Sequence, residues 1–129
     1  MKIIFILILI GEIGTGKTSL INGYDGKKFN PKITFNLNNN SIQKKVEINN
    51  KKYFINIWDT AGQERFRSMN KIFIKNSHIV IFVYDVTNTK TVQELNFWVN
   101  EVKQILSENV IFGIAGNKID LKMKKIMMN

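Results

Sequence analysis

Gly11-Glu12-Ile13-Gly14-Thr15-Gly16-Lys17-Thr18, entered from the apolar run Ile3 to Ile10, is the stretch that decides how this chain folds. It satisfies G-x-x-x-x-G-K-[ST] in full. Each part of the pattern has a physical use. The glycines let the backbone curl until successive N–H groups point at phosphate oxygens. A helix opening near Lys17 would add the partial positive charge of its N-terminus. Lys17 can reach the β- and γ-phosphates, and the Thr18 hydroxyl can ligate Mg²⁺, a hard cation that takes oxygen ligands. The run before the loop is too short to span a bilayer and leads into Gly11 without a small-x-small cleavage site. It reads as a parallel strand that is apolar on both faces.

Outward from the loop, the sequence alternates strands with helices. Residues 24–40 carry Gly, Pro and Asn and read as loop. Ile42–Ile48 roughly alternates, Asn49-Asn50 turns the chain, and Tyr53–Trp58 returns it, which together predict a β-hairpin. Asp59–Ser68 is polar loop, and Ile79–Tyr84 is a continuous apolar strand. Thr91 with Glu94 has the form of a capping box. Val92, Leu95, Val99, Val102 and Leu106 then recur at helical spacing and mark a core-facing stripe. Val110–Ala115 is the last predicted strand. The expected architecture is a three-layer α/β fold with a mainly parallel sheet. One domain over residues 1–121 is expected, followed by a Lys/Met-rich tail over 122–129.

Composition narrows the possibilities further. The chain has 129 residues, 44% of them apolar, and no cysteine. Disulfides, cysteine-ligated zinc and thiol lipidation within this sequence are therefore excluded. The formal net charge is +9, carried by scattered lysines, with Arg65 and Arg67 the only arginines. Without an interleaved aromatic and basic segment, this charge reads as a solvated surface, and no nucleic-acid partner is expected. His78, the single histidine, precedes an apolar strand and reads as a packing or surface residue.

A phosphate loop does not choose a base, but Asn117-Lys118-Ile119-Asp120 does. A carboxylate there can accept hydrogen bonds from the N1–H and exocyclic amine of guanine, whereas adenine offers an acceptor at N1. Its place after the last apolar strand is the edge where ligands bind in open α/β sheets. Trp58-Asp59-Thr60-Ala61-Gly62-Gln63-Glu64-Arg65-Phe66 is the third piece. Asp59 can hold Mg²⁺ through water, the Gly62 N–H can approach a γ-phosphate, and Gln63 can orient an attacking water.

The phosphate loop, Trp58–Phe66, Val83-Tyr84-Asp85-Val86-Thr87-Asn88 and Asn117–Asp120 together resemble a Rab-type small GTPase of the Ras-like superfamily, over roughly residues 2–121. The resemblance implies a P-loop NTPase G domain, here without its C-terminal strand and helices. It implies GTP or GDP held by Gly14, Thr15, Gly16, Lys17, Thr18, Ser19, Gly62, Asn117, Lys118 and Asp120. Mg²⁺ would sit on Thr18 and Asp59, and Gln63 would be the catalytic residue. It further implies a monomeric GTP/GDP switch in vesicle-mediated transport, read by exchange factors, activating proteins and effectors. Such proteins are cytoplasmic and act at the cytosolic face of endomembranes, to which prenylated C-terminal cysteines hold them; this sequence carries no such anchor.

Three departures from the family stand out. Where the family carries its first switch threonine, this chain has Asn36, with Thr34 two residues early and an Asn-rich run after it. That change predicts weak ordering in the GTP state and impaired turnover, which leaves a nucleotide-binding module with little hydrolysis as the alternative. Residues after Asp120 are few, so one sheet face is expected to lack cover and to expose apolar surface of the first strand, and an inert fragment is the remaining reading. Ile13 stands in the phosphate loop near the place of the catalytic water, where a β-branched side chain is expected to crowd Gln63 or an incoming arginine finger.

Overall fold

The computed structural model describes residues 2–26, 41–60, 74–106 and 109–122. Among these residues five strands form one sheet: β1 (Ile4–Ile10), β2 (Ser41–Ile48), β3 (Lys51–Asp59), β4 (Ile79–Asp85) and β5 (Ile111–Asn117). Their spatial order is β2-β3-β1-β4-β5. Only β2 and β3 are antiparallel, closed by Asn49 and Asn50 at positive φ, as the hairpin reading required. The other three pairings are parallel. Asn tolerates the left-handed region better than other non-glycine residues, which is why this pair can make the turn.

Among the described residues three helices accompany the sheet: α1 (Lys17–Tyr24), α2 (Thr89–Gln93) and α3 (Leu95–Ile105). The alternation along each strand assigns them to layers. Ile21 of α1 packs with Leu9, Ile57 and Val83 on one face. Trp98 and Val102 of α3 pack with Ile8, Ile10, Ile74, Val80 and Phe82 on the other. This is the three-layer, mainly parallel α/β fold that the sequence predicts.

Two local readings need correction. Thr91 is not a helix cap. Asn88 caps α2, its side chain accepting from the Lys90 N–H, while the buried Thr91 hydroxyl is spent on the backbone of Asp85 and Asn88. A break at Glu94 then divides the expected single helix into α2 and α3. Of the expected stripe, Leu95, Val99, Val102 and Leu106 pack on the core, Val92 is exposed, and Trp98, which the stripe does not include, is fully buried.

The first strand is likewise not buried throughout. Ile8, Leu9 and Ile10 are buried at its carboxyl end, but Ile4 and Phe5 are exposed at the other. The expected apolar exposure is therefore found on β1. It is larger on β5, where Ile111 and Ile114 are 65% and 68% exposed at the edge of the sheet. His78 continues the ladder between these strands: its Nδ1 accepts the Ile6 N–H, and its ring meets Phe5 edge-on.

Candidate nucleotide site

The polar residues singled out in the sequence collect at the carboxyl ends of β1, β3, β4 and β5. β1 delivers the chain into the phosphate loop, where Gly14 and Gly16 have φ of 80° and 95°. This left-handed backbone favours glycine because any Cβ would crowd the adjoining carbonyl. Space matters as well as torsion. A Cβ on Gly11 would stand 2.1 Å from the Val83 carbonyl oxygen of β4, and one on Gly16 would stand 2.3 Å from Asn117 Nδ2. The glycines thus allow the loop to lie against two neighbouring strands.

Lys17 is the first residue of α1 and is 3% exposed. Its ammonium donates to the carbonyls of Gly11 and Glu12, each at 2.9 Å, and so is held inside the ring of the loop. Thr15 is fully buried, its hydroxyl donating to the Glu12 carbonyl. Ser19 lies half-buried in the first turn of α1. Ile13 is exposed at the tip of the loop.

Thr18 and Asp59 meet as the sequence suggests. The Thr18 hydroxyl donates to Asp59 Oδ2 at 2.5 Å, joining the start of α1 to the end of β3. Both supply oxygen, the donor a hard divalent cation requires. Among the described residues no group of three or more His, Cys, Asp or Glu could hold a metal by itself. The pair therefore fits Mg²⁺ shared with phosphate oxygens and water, and does not form a closed protein cage. Thr60, next in the chain, is anchored by its hydroxyl to the Leu9 carbonyl.

Asn117 closes β5 and does not follow it, as the sequence reading had it. Its Nδ2 donates to the Thr15 carbonyl at 2.9 Å, and Lys118 Nζ donates to the Gly14 carbonyl at 2.6 Å. Lys118 itself takes a positive φ of 67°, which turns the chain sharply after the strand. Asp120 follows, exposed at the rim. The Asn117–Asp120 segment and the glycine-rich loop are thereby tied together across about 100 residues of sequence. Gly62 and Gln63 lie outside the described residues, as do Asn36, Thr34 and the tail from residue 123.

Asp85 is a site residue to which the sequence reading gave no role. It ends β4, is almost buried, and pairs with Lys118 at 3.1 Å through Oδ2. Its Oδ1 accepts from both the hydroxyl and the N–H of Thr87. Burial pushes the Asp85 carboxyl up, but these hydrogen bonds and the Lys118 ammonium outweigh it and hold the group below the usual carboxylate range. The available signal was the strand-terminal position of an acidic residue ahead of Thr87, an Asx-turn pattern. Gly116 is a second omission. A Cβ there would press on the Tyr84 ring at 2.6–2.7 Å, so β5 needs a glycine to lie flat beside β4.

Comparison with known proteins agrees with this geometry. A family model described as "Ras family" matches residues 6–129. The chain is 40% identical over 121 residues to Ras-related protein Rab-21 of Mus musculus, covering 94% of this chain and 54% of that protein. Rab-21 of Homo sapiens gives the same identity and coverage. Ras-related protein Rab-30 of Homo sapiens is 38% identical over 122 residues, covering 95% of this chain and 60% of its own length. The chain thus spans little more than half the length of the curated relatives it matches.

Proposed function

Since the chain belongs to the Ras family and, with its Rab-21 and Rab-30 relatives, is of the Rab type, we propose that it binds guanine nucleotide with Mg²⁺ and hydrolyses GTP to GDP as a switch in vesicle-mediated transport. The observation that carries this is the union of two distant segments: Asn117 and Lys118 donate to the carbonyls of Thr15 and Gly14. A base held by Asp120 and phosphates held by the loop would then belong to one ligand. In this reading the backbone N–H groups of Gly14, Thr15 and Gly16, with Ser19 nearby, receive the phosphates. The buried Lys17 ammonium exchanges its carbonyl partners for β- and γ-oxygens. Thr18 and Asp59 hold the metal, which neutralises charge on the phosphates.

Turnover requires more than binding. Gln63 would orient the water, with the Gly62 N–H at the γ-phosphate, and catalysis would rest on positioning and electrostatics. The whole proteins' exchange factors, activating proteins and effectors, with the cytosolic face of endomembranes as the place of action, belong to the same proposal. Asn36 in place of the switch threonine favours a second reading, a module that retains nucleotide but turns it over slowly.

Fluorescent GDP with Mg²⁺, competed separately by GTP, GDP and ATP, tests the proposal. Displacement by both guanine nucleotides but not by ATP is expected. Equal displacement by ATP, or no binding by a cooperatively folded chain, would overturn it. Single-turnover GTP hydrolysis then separates the two readings.

A further inference from the structure

We infer that Trp98 is a positioning residue for the phosphate loop, acting through the side chain of Glu12; the inference rests on the nucleotide reading of the site. Trp98 is fully buried in the core beneath α3, against Phe97 at 4.8 Å in an edge-to-face arrangement. Its indole N–H donates to Glu12 Oε1 at 3.0 Å, across 86 residues of sequence. A buried indole N–H needs an acceptor, and apolar packing alone would have been served by Phe. The acceptor it finds is ionisable, and a hydrogen bond to a charged group is among the stronger ones.

Glu12 is the second residue of the phosphate loop, and it holds the loop together in two ways. Its backbone carbonyl accepts both the Lys17 ammonium and the Thr15 hydroxyl, at 2.9 and 3.0 Å. Its side chain fixes where that carbonyl stands by reaching out of the loop to α3. The loop is otherwise anchored at Gly14 and Thr15, through Lys118 and Asn117. Trp98 therefore supplies the tether on the opposite side, where β1 enters. A loop held at both sides keeps its N–H groups convergent before the ligand arrives, and this preorganisation reduces the ordering cost of binding.

Removal of either partner should cut the same tether. E12A and W98F are each expected to weaken GDP binding about ten-fold, and the double variant by about the same factor, because both delete one interaction. E12Q keeps a carbonyl oxygen for the indole and should recover most of the loss. Should W98F fail to fold, E12A against E12Q carries the test, since neither alters the core. Amide and indole NMR of the nucleotide-free chain supplies the second readout: E12A should move the Trp98 indole resonance and leave that of Trp58 in place.

E12A binding GDP as tightly as the unaltered chain, or E12A and W98F combining to about a hundred-fold loss, would overturn the role given to Trp98. An unaltered chain that shows the Trp98 indole bond yet binds no GDP would overturn this inference together with the nucleotide reading, and would place the fault in the latter.

Discussion

Alanine at Gly16, compared with alanine at Gly14, isolates the contact between the glycine-rich loop and Asn117. Both glycines have left-handed φ, so either substitution costs roughly 1–2 kcal/mol of backbone strain in the bound geometry. The surroundings differ. A Cβ at Gly14 meets nothing within 4 Å, whereas one at Gly16 stands 2.3 Å from Asn117 Nδ2. The Asn117 amide must then retreat and give up its bond to the Thr15 carbonyl, worth about 1 kcal/mol. G16A should lose roughly 2–3 kcal/mol, about 30- to 150-fold in GDP affinity, and G14A about five-fold less than that. Because some strain can appear as lost stability, GDP titration is paired with urea melts and the two losses are summed. If G16A loses no more than G14A in that sum, the loop and Asn117 are not energetically joined and the argument for one composite site fails.

Three further perturbations test separate parts of the site. T18A removes the oxygen that faces Asp59 and should abolish the slowing of GDP release by Mg²⁺; release rates with and without chelator check this, and persistent slowing would move the metal elsewhere. D120A should weaken GDP by roughly 10²-fold, since two hydrogen bonds to a carboxylate are lost, without improving or weakening ATP competition; equal loss for both would remove Asp120 from base selection. For Asp85 the folded group titrates below its ordinary value of 3.8. Its stabilising contribution is thus complete above that pH and is lost as pH falls through the lower folded value. Urea melts should show D85N less stable near neutrality, where the Lys118 pair is charged, with a flatter acid limb; an unchanged limb would show that Asp85 gains nothing from its partners.

Much of this geometry was legible because particular residues have few alternatives. The G-x-x-x-x-G-K-[ST] loop demands a strand before it and a helix after it, and both are present. Asn49-Asn50 reads as a turn because few other residues tolerate two successive positive φ values. Val92 shows what sequence could not supply. Leu95, Val99 and Val102 pack on the core as their spacing suggests, but Val92 is exposed, and the fully buried residues of α3 are Trp98 and Val102. Thr91 lies inside α2, where its hydroxyl bonds the backbone of Asp85 and caps no helix. A tertiary hydrogen bond overrode a local signal, and local sequence carries no record of it.

Burial follows the same logic. An unbroken apolar run such as Ile3–Ile10 reports that both faces can be covered, not that they are. On β1 the covered half is the one nearest the site, where Ile8, Leu9 and Ile10 meet α1, α3 and the neighbouring strands. The uncovered residues of β1, Ile4 and Phe5, lie at its other end, whereas on the edge strand β5 exposure extends to Ile114, level with the buried Ile10. Along β1, burial is thus greatest at the edge where polar groups converge. That edge is also bound together by Asn117 and Lys118, which donate to the Thr15 and Gly14 carbonyls, and by the ion pair of Lys118 with Asp85. A ligand bridging those segments would add to the links that already hold β1 to β5 across the sheet, so occupancy of the site and stability of the fold should rise together. This linkage is why nucleotide affinity and melting are to be measured on the same variants: a change in either one, taken alone, does not distinguish a damaged site from a loosened sheet.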